Sequence, residues 1–433
     1  MKSNILRADR ASGRALAGSA RRWRRPVPAA SVGLACLCAL VALMVFAVPA
    51  ATAGTPPATD WTVMVYMDGD QNHGDLNLEP WVTHDIDKEL AVTGSNADVQ
   101  VVALADRGRY PNKADGSWTG ARVFHITQGM KATAENAAAN WGQTDMGSPQ
   151  TLVNFVNWAR ANYPAKHYAL FMWDHGWGWW PGNTMEDDTS GDYMDMDELR
   201  GALQTVGGVD MVGWDSCFSQ TIEVQAQFRG FAKAMAGSED SIGYSGFAYD
   251  YILPRLQATP TMDAYKLAIL AAKSMKWHHD KWTLASTAVA LDGRWDTLTS
   301  AVSDLGWDLA IRLPQDRAVF AKARKQATVP LQTYPEVRDL YGAAQALKAQ
   351  VGSSMVKQDC SRVLKAEHKA VLYEWHAKKE GALHGLAIFW PSWPAPPAAG
   401  SSFSQWVNFA YYCTQLEFTR LTYWGDFLAA WGH

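Results

Sequence analysis

Short, nearly continuous apolar runs alternate along the chain with segments whose apolar residues recur at helical spacing. Such runs are typical of strands buried on both faces of a parallel sheet. Strands are predicted at 61–67, 99–104, 121–126, 168–173, 209–214 and 385–390, and helices at 85–92, 149–161, 195–203, 221–231, 261–280, 295–325 and, with interruptions, 343–378. The alternation predicts an α/β fold, a mainly parallel sheet between two layers of helices.

Two neighbouring predicted strands end in reactive side chains. One ends in Trp173-Asp174-His175-Gly176 and the other in Trp214-Asp215-Ser216-Cys217, with a predicted helix between them. A right-handed crossover lays two such strands parallel and brings their carboxyl ends to the same edge of the sheet. We therefore expect His175 and Cys217 to face one crevice, although they are far apart in the sequence.

The first fifty residues are typical of an export signal. Four arginines at positions 21, 22, 24 and 25 precede an apolar run at 32–48, and small residues follow at 51–53. This pattern predicts a signal peptide over 1–53, a linker over 54–60 and a secreted protein with no membrane contact after cleavage. An uncleaved membrane anchor is the alternative, because the apolar run approaches the length of a span.

Removal of the signal makes the chain acidic. Residues 1–53 hold eight Lys or Arg and one acidic residue, so the remaining chain has a net charge of about −11. An acidic surface argues against nucleic-acid binding and is compatible with cationic substrates. We expect one domain at 61–395, with an aromatic extension at 396–433 packed on it.

Three cysteines remain after cleavage, namely Cys217, Cys360 and Cys413. An odd number in an oxidising compartment leaves one thiol unpaired, so we predict a Cys360–Cys413 disulfide and a free Cys217. The alternative is that all three are reduced and buried.

The chemistry of a cysteine nucleophile fits the two strand ends. A thiol needs a partner that moves its proton, and the oxyanion that forms needs hydrogen-bond donors. His175 offers the first, and the turn with Gly176 and Gly178 leaves backbone N–H groups open to a substrate. A lone Cys is usually a small core residue, but two reactive residues at adjacent strand ends stand where α/β sheets bind ligands.

The runs 173–178 and 214–217, with Glu223 downstream, resemble the His and Cys motifs of the clostripain family of cysteine peptidases, relatives of caspases and gingipains. The opening strand with Asp68 and Asp70, the run 188–199 and the strand at 385–391 agree with that family, so the similarity spans about 61–391. The resemblance implies a caspase-like three-layer sandwich. It also implies His175 as general acid/base, Cys217 as nucleophile and an oxyanion hole from the backbone N–H groups of Gly176 and Cys217.

The resemblance also implies cleavage after Arg or Lys. The acidic residue two positions before the nucleophile, here Asp215, lies in the family's pocket for that side chain, and Glu239 or Asp240 is expected to supply a second carboxylate. A cap on the following turn is the alternative role for Asp215. The expected partners are proteins or peptides that contain Arg or Lys, and the expected state is a monomer.

Two features bear on processing and cofactors. Some relatives cut themselves between the two motifs, but the only basic residue there is Arg200, in a predicted helix. We therefore expect a single chain. No cofactor is required, although some relatives use calcium. The candidate oxygen ligands are Glu186, Asp187, Asp188 and Asp192, and the alternative is a solvated acidic loop.

Two other functions compete with proteolysis. A catalytically silent binding protein on the same scaffold would use Trp177, Trp179 and Trp180 as a recognition surface. A glycoside hydrolase would use tryptophans near paired carboxylates such as Glu186 and Asp188.

Overall fold

A computed structural model describes residues 58–71, 77–180, 185–278, 281–330, 335–378, 381–392 and 409–432. The predicted signal at 1–53, most of the predicted linker and the start of the predicted extension lie outside the described residues.

The strands among the described residues range in length from three residues to eleven. They are β1 (Thr59–Gly69), β2 (Val99–Arg107), β3 (Ala121–His125), β4 (Ala139–Gly142), β5 (Ala165–Trp173), β6 (Met211–Asp215), β7 (Ala234–Gly237), β8 (Ala285–Ala290), β9 (Val337–Asp339), β10 (Val371–His376) and β11 (Ala387–Phe389).

One nine-stranded sheet forms the middle layer, in the order β10-β8-β7-β6-β5-β1-β2-β3-β4. Its five central strands, from β7 to β2, are parallel, and the flanking strands pair antiparallel. β9 and β11 form a separate two-stranded antiparallel sheet. The predicted mainly parallel sheet is thus confirmed.

Helices cover both faces of the sheet. They are α1 (Glu79–Asp85), continued by a π-helical turn (Ile86–Leu90) into α2 (Ala91–Thr93), then α3 (Pro149–Asn162), α4 (Met196–Val206), α5 (Ile222–Phe228), α6 (Tyr249–Ala258), α7 (Ala264–Ser274), α8 (Gly293–Gln326), α9 (Leu340–Gln350), α10 (Ser354–Ala370), α11 (Phe409–Gln415), α12 (Glu417–Leu421) and α13 (Trp424–Trp431). Buried residues of α1, α6 and α7 fill one core with the sheet. Those of α3–α5, α8–α10, α12 and α13 fill the other.

Burial on both faces explains why the strand runs are continuously apolar. In β1, Val63 and Val65 belong to the core under α1, α6 and α7. Met64 and Tyr66 belong to the core on the opposite face. Every side chain of such a strand leaves water, so the sequence shows no alternation of polar and apolar residues.

The helices and strands after β6 differ most from those predicted from the sequence. The predicted helix at 343–378 ends at Ala370, and the chain continues as strand β10. β7 and β8 are rich in small residues such as Ala, whose intrinsic strand preference is weak, so their sequence pattern does not mark them as strands. Their pairing in the sheet decides their conformation.

The predicted disulfide is wrong. Cys360 is fully buried in α10 and Cys413 is partly buried in α11, and both thiols are free, as is that of Cys217. Cys360 packs in the core on the α8–α10 face of the sheet, where it acts as a small apolar side chain. The structure thus has the reduced arrangement that was the alternative.

None of the helices in the described part of the chain is long and apolar enough to cross a membrane.

The aromatic C-terminal helices belong to the core. Trp424 is 1% exposed and packs edge-on against Trp390. Its indole N–H donates to the Phe389 carbonyl at 2.8 Å. Trp431 donates in the same way to the Pro391 carbonyl at 2.9 Å. The last helices thereby fasten the β11 strand to the long helix α8.

Replacing Trp424 with Ala tests this role. Because the substitution empties a large buried volume and leaves a carbonyl without its donor, we expect a loss of about 3–5 kcal/mol in the free energy of unfolding. The measurement is urea unfolding followed by circular dichroism. Leu421→Ala, at a side chain that is 49% exposed, is the matched control and should change stability by less than about 0.5 kcal/mol. Equal effects of the two substitutions would contradict the role given to Trp424.

Candidate active site

The pairing of β5 with β6 sets the two reactive residues level with each other. Trp173 lies opposite Asp215 in the parallel register, and the Asp174 N–H donates to the Asp215 carbonyl at 3.3 Å. His175 and Cys217 each stand two residues beyond this last pair. The prediction that they share one edge of the sheet is confirmed.

Gly176 lets the His and Cys turns approach each other. A Cβ atom at this position would lie 2.3 Å from the Ser216 Oγ and 2.8 Å from the Cys217 carbonyl oxygen. Both distances are shorter than van der Waals contact, so a side chain at position 176 would push the two turns apart. The backbone of Gly176 therefore lies directly beside the turn that carries Cys217.

The turn after Cys217 holds an uncommon conformation. Phe218 has φ of +56°, which costs a residue with a side chain roughly 1–3 kcal/mol. Its N–H donates to the Asp240 carbonyl at 3.2 Å. Its ring stacks on Trp177 at 6.0 Å. These two contacts hold the backbone in the sharp turn that presents the thiol.

Both reactive residues line one cavity of about 520 Å³. Its walls are rich in aromatic rings, including Trp173, Trp177, Phe218, Tyr244 and Trp282. Among the described residues that line it, the only acidic side chains are Asp174 and Asp215, and none is Lys or Arg. The cavity thus combines apolar walls with two carboxyl groups.

Asp215 is one of the two acidic residues that line this cavity. Its Oδ1 accepts from the Phe247 N–H at 3.0 Å, and its Oδ2 accepts from the Tyr249 hydroxyl at 2.8 Å. Burial and the neighbouring Asp85 raise the pKa of Asp215 well above its usual range, against the effect of those two donors. Gly246 makes room for it, since a Cβ there would lie 2.2 Å from the Asp215 Oδ1.

Burial disfavours the thiolate form of Cys217. Its Sγ accepts from the Ile242 N–H at 3.3 Å, which favours the thiolate. Burial outweighs this donor and, with the charges of Asp240 and Asp215, raises the pKa of the Cys217 thiol to about 11. A base must therefore take the proton as the sulfur attacks.

The Asp174 carboxylate supports the backbone of the turn that carries His175. One oxygen accepts from the His175 N–H at 2.5 Å and from the Gln71 side-chain amide, and the other accepts from the Glu186 N–H at 3.0 Å. The carboxylate thereby joins the end of β5 to the loop after β1 and to the segment around 186. The sequence analysis gave Asp174 no role. The position of Asp174 in the motif does not show whether its carboxylate supports the backbone or binds a substrate.

Glu239 and Asp240 do not line the cavity. Glu239 is 1% exposed, and its Oε1 accepts from the Gly385 N–H at 2.8 Å. The Asp240 carboxylate accepts from the Ser241 N–H at 2.6 Å. Glu239 thus turns toward the segment before β11, while the backbone of Asp240 supports the turn after Cys217. The expectation that one of them supplies a second carboxylate to the pocket is corrected.

The tryptophan cluster is also placed differently from expectation. Trp179 and Trp180 are 0% and 3% exposed and stack on each other at 4.6 Å. Trp179 packs edge-on against Phe389 and Tyr412. Only Trp177 of the three lines the cavity. The other two are core residues and offer no recognition surface.

Three buried carboxylates gather behind the His turn. One oxygen from each of Asp70, Asp106 and Asp187 lies within 4.8 Å of the others. Neither side-chain oxygen of Asp106 has a hydrogen-bond partner. Asp187 accepts from the Met146 N–H at 3.0 Å and the Ser190 N–H at 2.8 Å. Burial, followed by the charges of Asp187 and Asp70, raises the pKa of Asp106 well above its usual range.

This cluster contains one of the four candidate calcium ligands of the sequence analysis. Asp187 belongs to it, whereas Glu186, Asp188 and Asp192 do not. The Asp188 N–H instead donates to the Asp70 carbonyl at 2.9 Å. Neither Glu186 nor Asp188 lines the catalytic cavity, which removes the basis for a glycosidase pair there. The acidic residues at 186–192 pointed to Asp187 in the sequence. Asp106 lies near the end of β2, and only the folded chain places it beside Asp187.

Comparisons with known proteins identify the family of the chain. Residues 65–431 match the peptidase C11 family, the clostripain family. Clostripain from Hathewaya histolytica is 27% identical over 226 residues, 46% of this chain and 42% of the relative. The chain thus matches less than half the length of that relative.

Two solved structures share the fold. A secreted C11 cysteine protease from Bacteroides thetaiotaomicron, in complex with an irreversible peptide inhibitor, has a TM-score of 0.61 at 18% identity, over 84% of this chain and 99% of that chain. An inactive zymogen C11 protease from Parabacteroides distasonis has a TM-score of 0.62 at 19% identity, over 85% and 99%. The expected sandwich fold is confirmed.

The family match takes in both strand-end motifs and most of the chain. It also continues past residue 395, so the aromatic C-terminal helices are part of the matched domain. The chain belongs to the clostripain family of cysteine peptidases.

Proposed function

We propose that this chain is a secreted cysteine endopeptidase that cleaves peptide bonds after Arg or Lys. The observation that carries the proposal is the shared cavity: His175 and Cys217 line it together with the buried carboxylate of Asp215, and no described basic residue neutralises that charge from the wall. A guanidinium or ammonium group from the substrate would supply the missing counter-charge.

The proposed reaction begins with the substrate's cationic side chain in the cavity. Its alkyl stem packs on the aromatic walls and its charge pairs with Asp215, which holds the scissile carbonyl near Cys217. The thiol gives its proton to His175 as the sulfur attacks the carbonyl carbon. The backbone N–H groups of Gly176 and Cys217 donate to the oxyanion that forms.

The second half of the reaction reverses the proton transfer. His175 gives the proton to the leaving amine, so the peptide bond breaks and the acyl group stays on the Cys217 sulfur as a thioester. A water molecule then attacks the thioester, and His175 takes one of its protons. The acid forms, the sulfur leaves and regains a proton, and the enzyme returns to its starting state. No cofactor enters these steps.

The remaining parts of the proposal concern the chain's surroundings. The pattern at 1–53 supports export, and the net charge of about −11 after residue 53 favours basic substrates and disfavours nucleic acid. Proteins and peptides with Arg or Lys are the proposed partners, and we propose that the enzyme acts as a monomer. Arg200 donates to the Ala226 and Gln227 carbonyls at 3.1 and 2.9 Å, which supports the proposal that the chain is not cut at that residue.

We also propose that calcium, although no chemical step needs it, binds to Asp70, Asp106 and Asp187. Carboxylate oxygens are hard ligands of the kind that calcium takes, and the two unpartnered oxygens of Asp106 are explained if a cation lies beside them. Three carboxylates held this close repel one another without one. A bound cation would fasten the segment around Asp187, which Asp174 connects to the His turn.

Substitution of the dyad tests the chemistry. We expect Cys217→Ala and His175→Ala each to lower kcat for a fluorogenic Arg peptide by roughly 1000-fold or more, because each removes a group that changes its bonding in the reaction. Cys413→Ala, at a partly buried thiol outside the cavity, is the control and should keep kcat within about twofold of the wild type. Full activity of Cys217→Ala with unchanged folding would exclude the proposed nucleophile.

Asp215→Asn tests the pocket with a substitution of equal size. Loss of the charge leaves the substrate cation unpaired, so we expect kcat/KM for Arg and Lys peptides to fall roughly 100-fold or more, with little change for a Leu peptide. Asp98→Asn, at an exposed position, is the control.

The same variant carries a pH prediction. The pKa of Asp215 is raised, and only its charged form attracts a cation. The ratio of the wild-type kcat/KM for an Arg peptide to that for a Leu peptide should therefore rise with pH as Asp215 ionises, and Asp215→Asn should lose that rise in the ratio. An unchanged pH profile and an unchanged preference for Arg in Asp215→Asn would contradict the assignment.

Calcium binding is tested without an activity assay. After treatment with a chelator, millimolar calcium should raise the melting temperature of the wild type by several degrees, because a ligand that binds only the folded chain stabilises it. Asp106→Asn should lose most of this rise, and Asp98→Asn should keep it. Calorimetric titration should give one site per chain in the wild type. No heat and no thermal shift in the wild type would refute the site.

A further inference from the structure

A second surface beside the catalytic cavity has the opposite charge. Its groove, here called the basic groove, has a volume of about 740 Å³. Six of its lining residues carry the argument, namely Lys273, Lys276, Trp277, Lys281, Tyr373 and Trp375. They come from the end of α7, the residues that follow it and the strand β10. We propose that the basic groove binds an acidic segment of the polypeptide substrate, which rests on the proposed peptidase function.

In the part of the chain that the structure describes, no carboxylate neutralises the positive charge of the groove. The side chains of Lys273, Lys276 and Lys281 are exposed. Within the described ranges, no carboxylate forms a salt bridge with any of the three ammonium groups. This is unusual on a chain with a net charge of about −11 after residue 53. A local cluster of cations on an acidic protein attracts anionic groups specifically to that place.

Aromatic rings hold these cations along the groove. Lys273 lies 5.6 Å from the Tyr373 ring centre, and Lys276 lies 5.8 Å from those of Tyr373 and Trp375. Trp277 is 50% exposed and Trp282 is 59% exposed. Large aromatic side chains in water are costly, and clusters of them mark surfaces that bind a partner.

The basic groove adjoins the catalytic cavity. Lys281 lines the groove and lies 5.0 Å above the ring of Trp282, which lines the cavity. The next residue, Thr283, lines the groove, and its hydroxyl accepts from the Gly243 N–H at 3.1 Å. Gly243 in turn lines the cavity. Residues 281–283 are thus the wall that the two sites share.

This proximity points to the substrate chain as the occupant. A polypeptide held at Cys217 that leaves the cavity past Trp282 is directed toward Lys281 and Thr283 of the basic groove. Asp or Glu side chains in that segment would meet the three lysines, while their neighbours would contact the exposed rings. β10 is also the edge strand of the sheet, and extended peptides can add to such an edge. A substrate would therefore offer a basic residue to the cavity and an acidic stretch nearby.

The test uses peptides that share one Arg cleavage site and differ only in a flanking tract, which is acidic, neutral or basic. Each tract is placed before the site in one set and after it in another. The enzymes are the wild type, a triple variant with Lys273→Gln, Lys276→Gln and Lys281→Gln, and a charge-matched control. The control carries Lys322→Gln, Lys325→Gln and Lys357→Gln, at exposed lysines outside the groove.

We expect the acidic tract, in one of the two sets, to raise kcat/KM about tenfold over the neutral tract at low salt, mainly through KM, since each exposed charge pair contributes modestly. High salt should remove the increase because it screens exposed charges. The triple variant should lose it, and the control should keep it. Cleavage of the neutral peptide should be the same in all three enzymes.

An equal rate for acidic and neutral peptides in the wild type would overturn the inference, as would equal losses in the two triple variants. Competition by an anionic polysaccharide or an oligonucleotide, without any advantage for the acidic peptide, would also overturn it and reassign the groove. If no peptide is cleaved, the proposed function fails separately. Fluorescence anisotropy of labelled acidic and neutral peptides on Cys217→Ala still decides whether the groove binds the acidic tract.

Discussion

The parallel register between β5 and β6 is the constraint on which the rest of the site depends. It places Trp173 opposite Asp215, so the residues two positions beyond them stand level at the sheet edge. Gly176 then permits a backbone approach that any side chain would block, and the strained Phe218 turn presents the thiol. A slip of the strands by one residue would invert the faces of all side chains in β6. Close packing of the side chains on both faces of β6 disfavours such a slip. The hydrophobic core thus sets the level at which His175 and Cys217 stand.

The buried carboxylates near this edge of the sheet have different roles. Burial is common to all of them, so it does not distinguish those roles. Asp174 is satisfied by backbone and amide donors and acts as a brace. Asp215 faces the cavity with only two donors, so it keeps capacity for a ligand. Asp106 has no hydrogen-bond partner at either side-chain oxygen. A bound cation would give both oxygens a partner. Desolvation is the largest cause of the raised pKa of each of the three carboxyl groups. Their hydrogen-bond partners, which differ, distinguish their roles.

The central strands and the meeting of His175 and Cys217 at one edge of the sheet could be predicted from the sequence, whereas much of what surrounds them could not. β1, β2, β5 and β6 are buried on both faces, and that burial leaves a continuous apolar run in the sequence. β8 and β10 lie at the outer part of the sheet, and their conformation follows from pairing with each other, which no local pattern reports. Glu239 looked like a pocket residue because it follows the Cys helix, but the hydrogen bond with Gly385 turns it away from the cavity. Asp106 was missed because its partners come from other parts of the chain.

The measurement that tests the account most directly is a crystal structure of the mature chain after reaction with an irreversible peptide inhibitor that carries Arg next to its reactive group. We predict one covalent bond to the Cys217 sulfur, the guanidinium group at the Asp215 carboxylate, and the oxygen of the reacting carbonyl within hydrogen-bond distance of the Gly176 N–H. Labelling of Cys360 or Cys413 instead, or an Arg side chain that points away from Asp215 while Cys217 is modified, would contradict it.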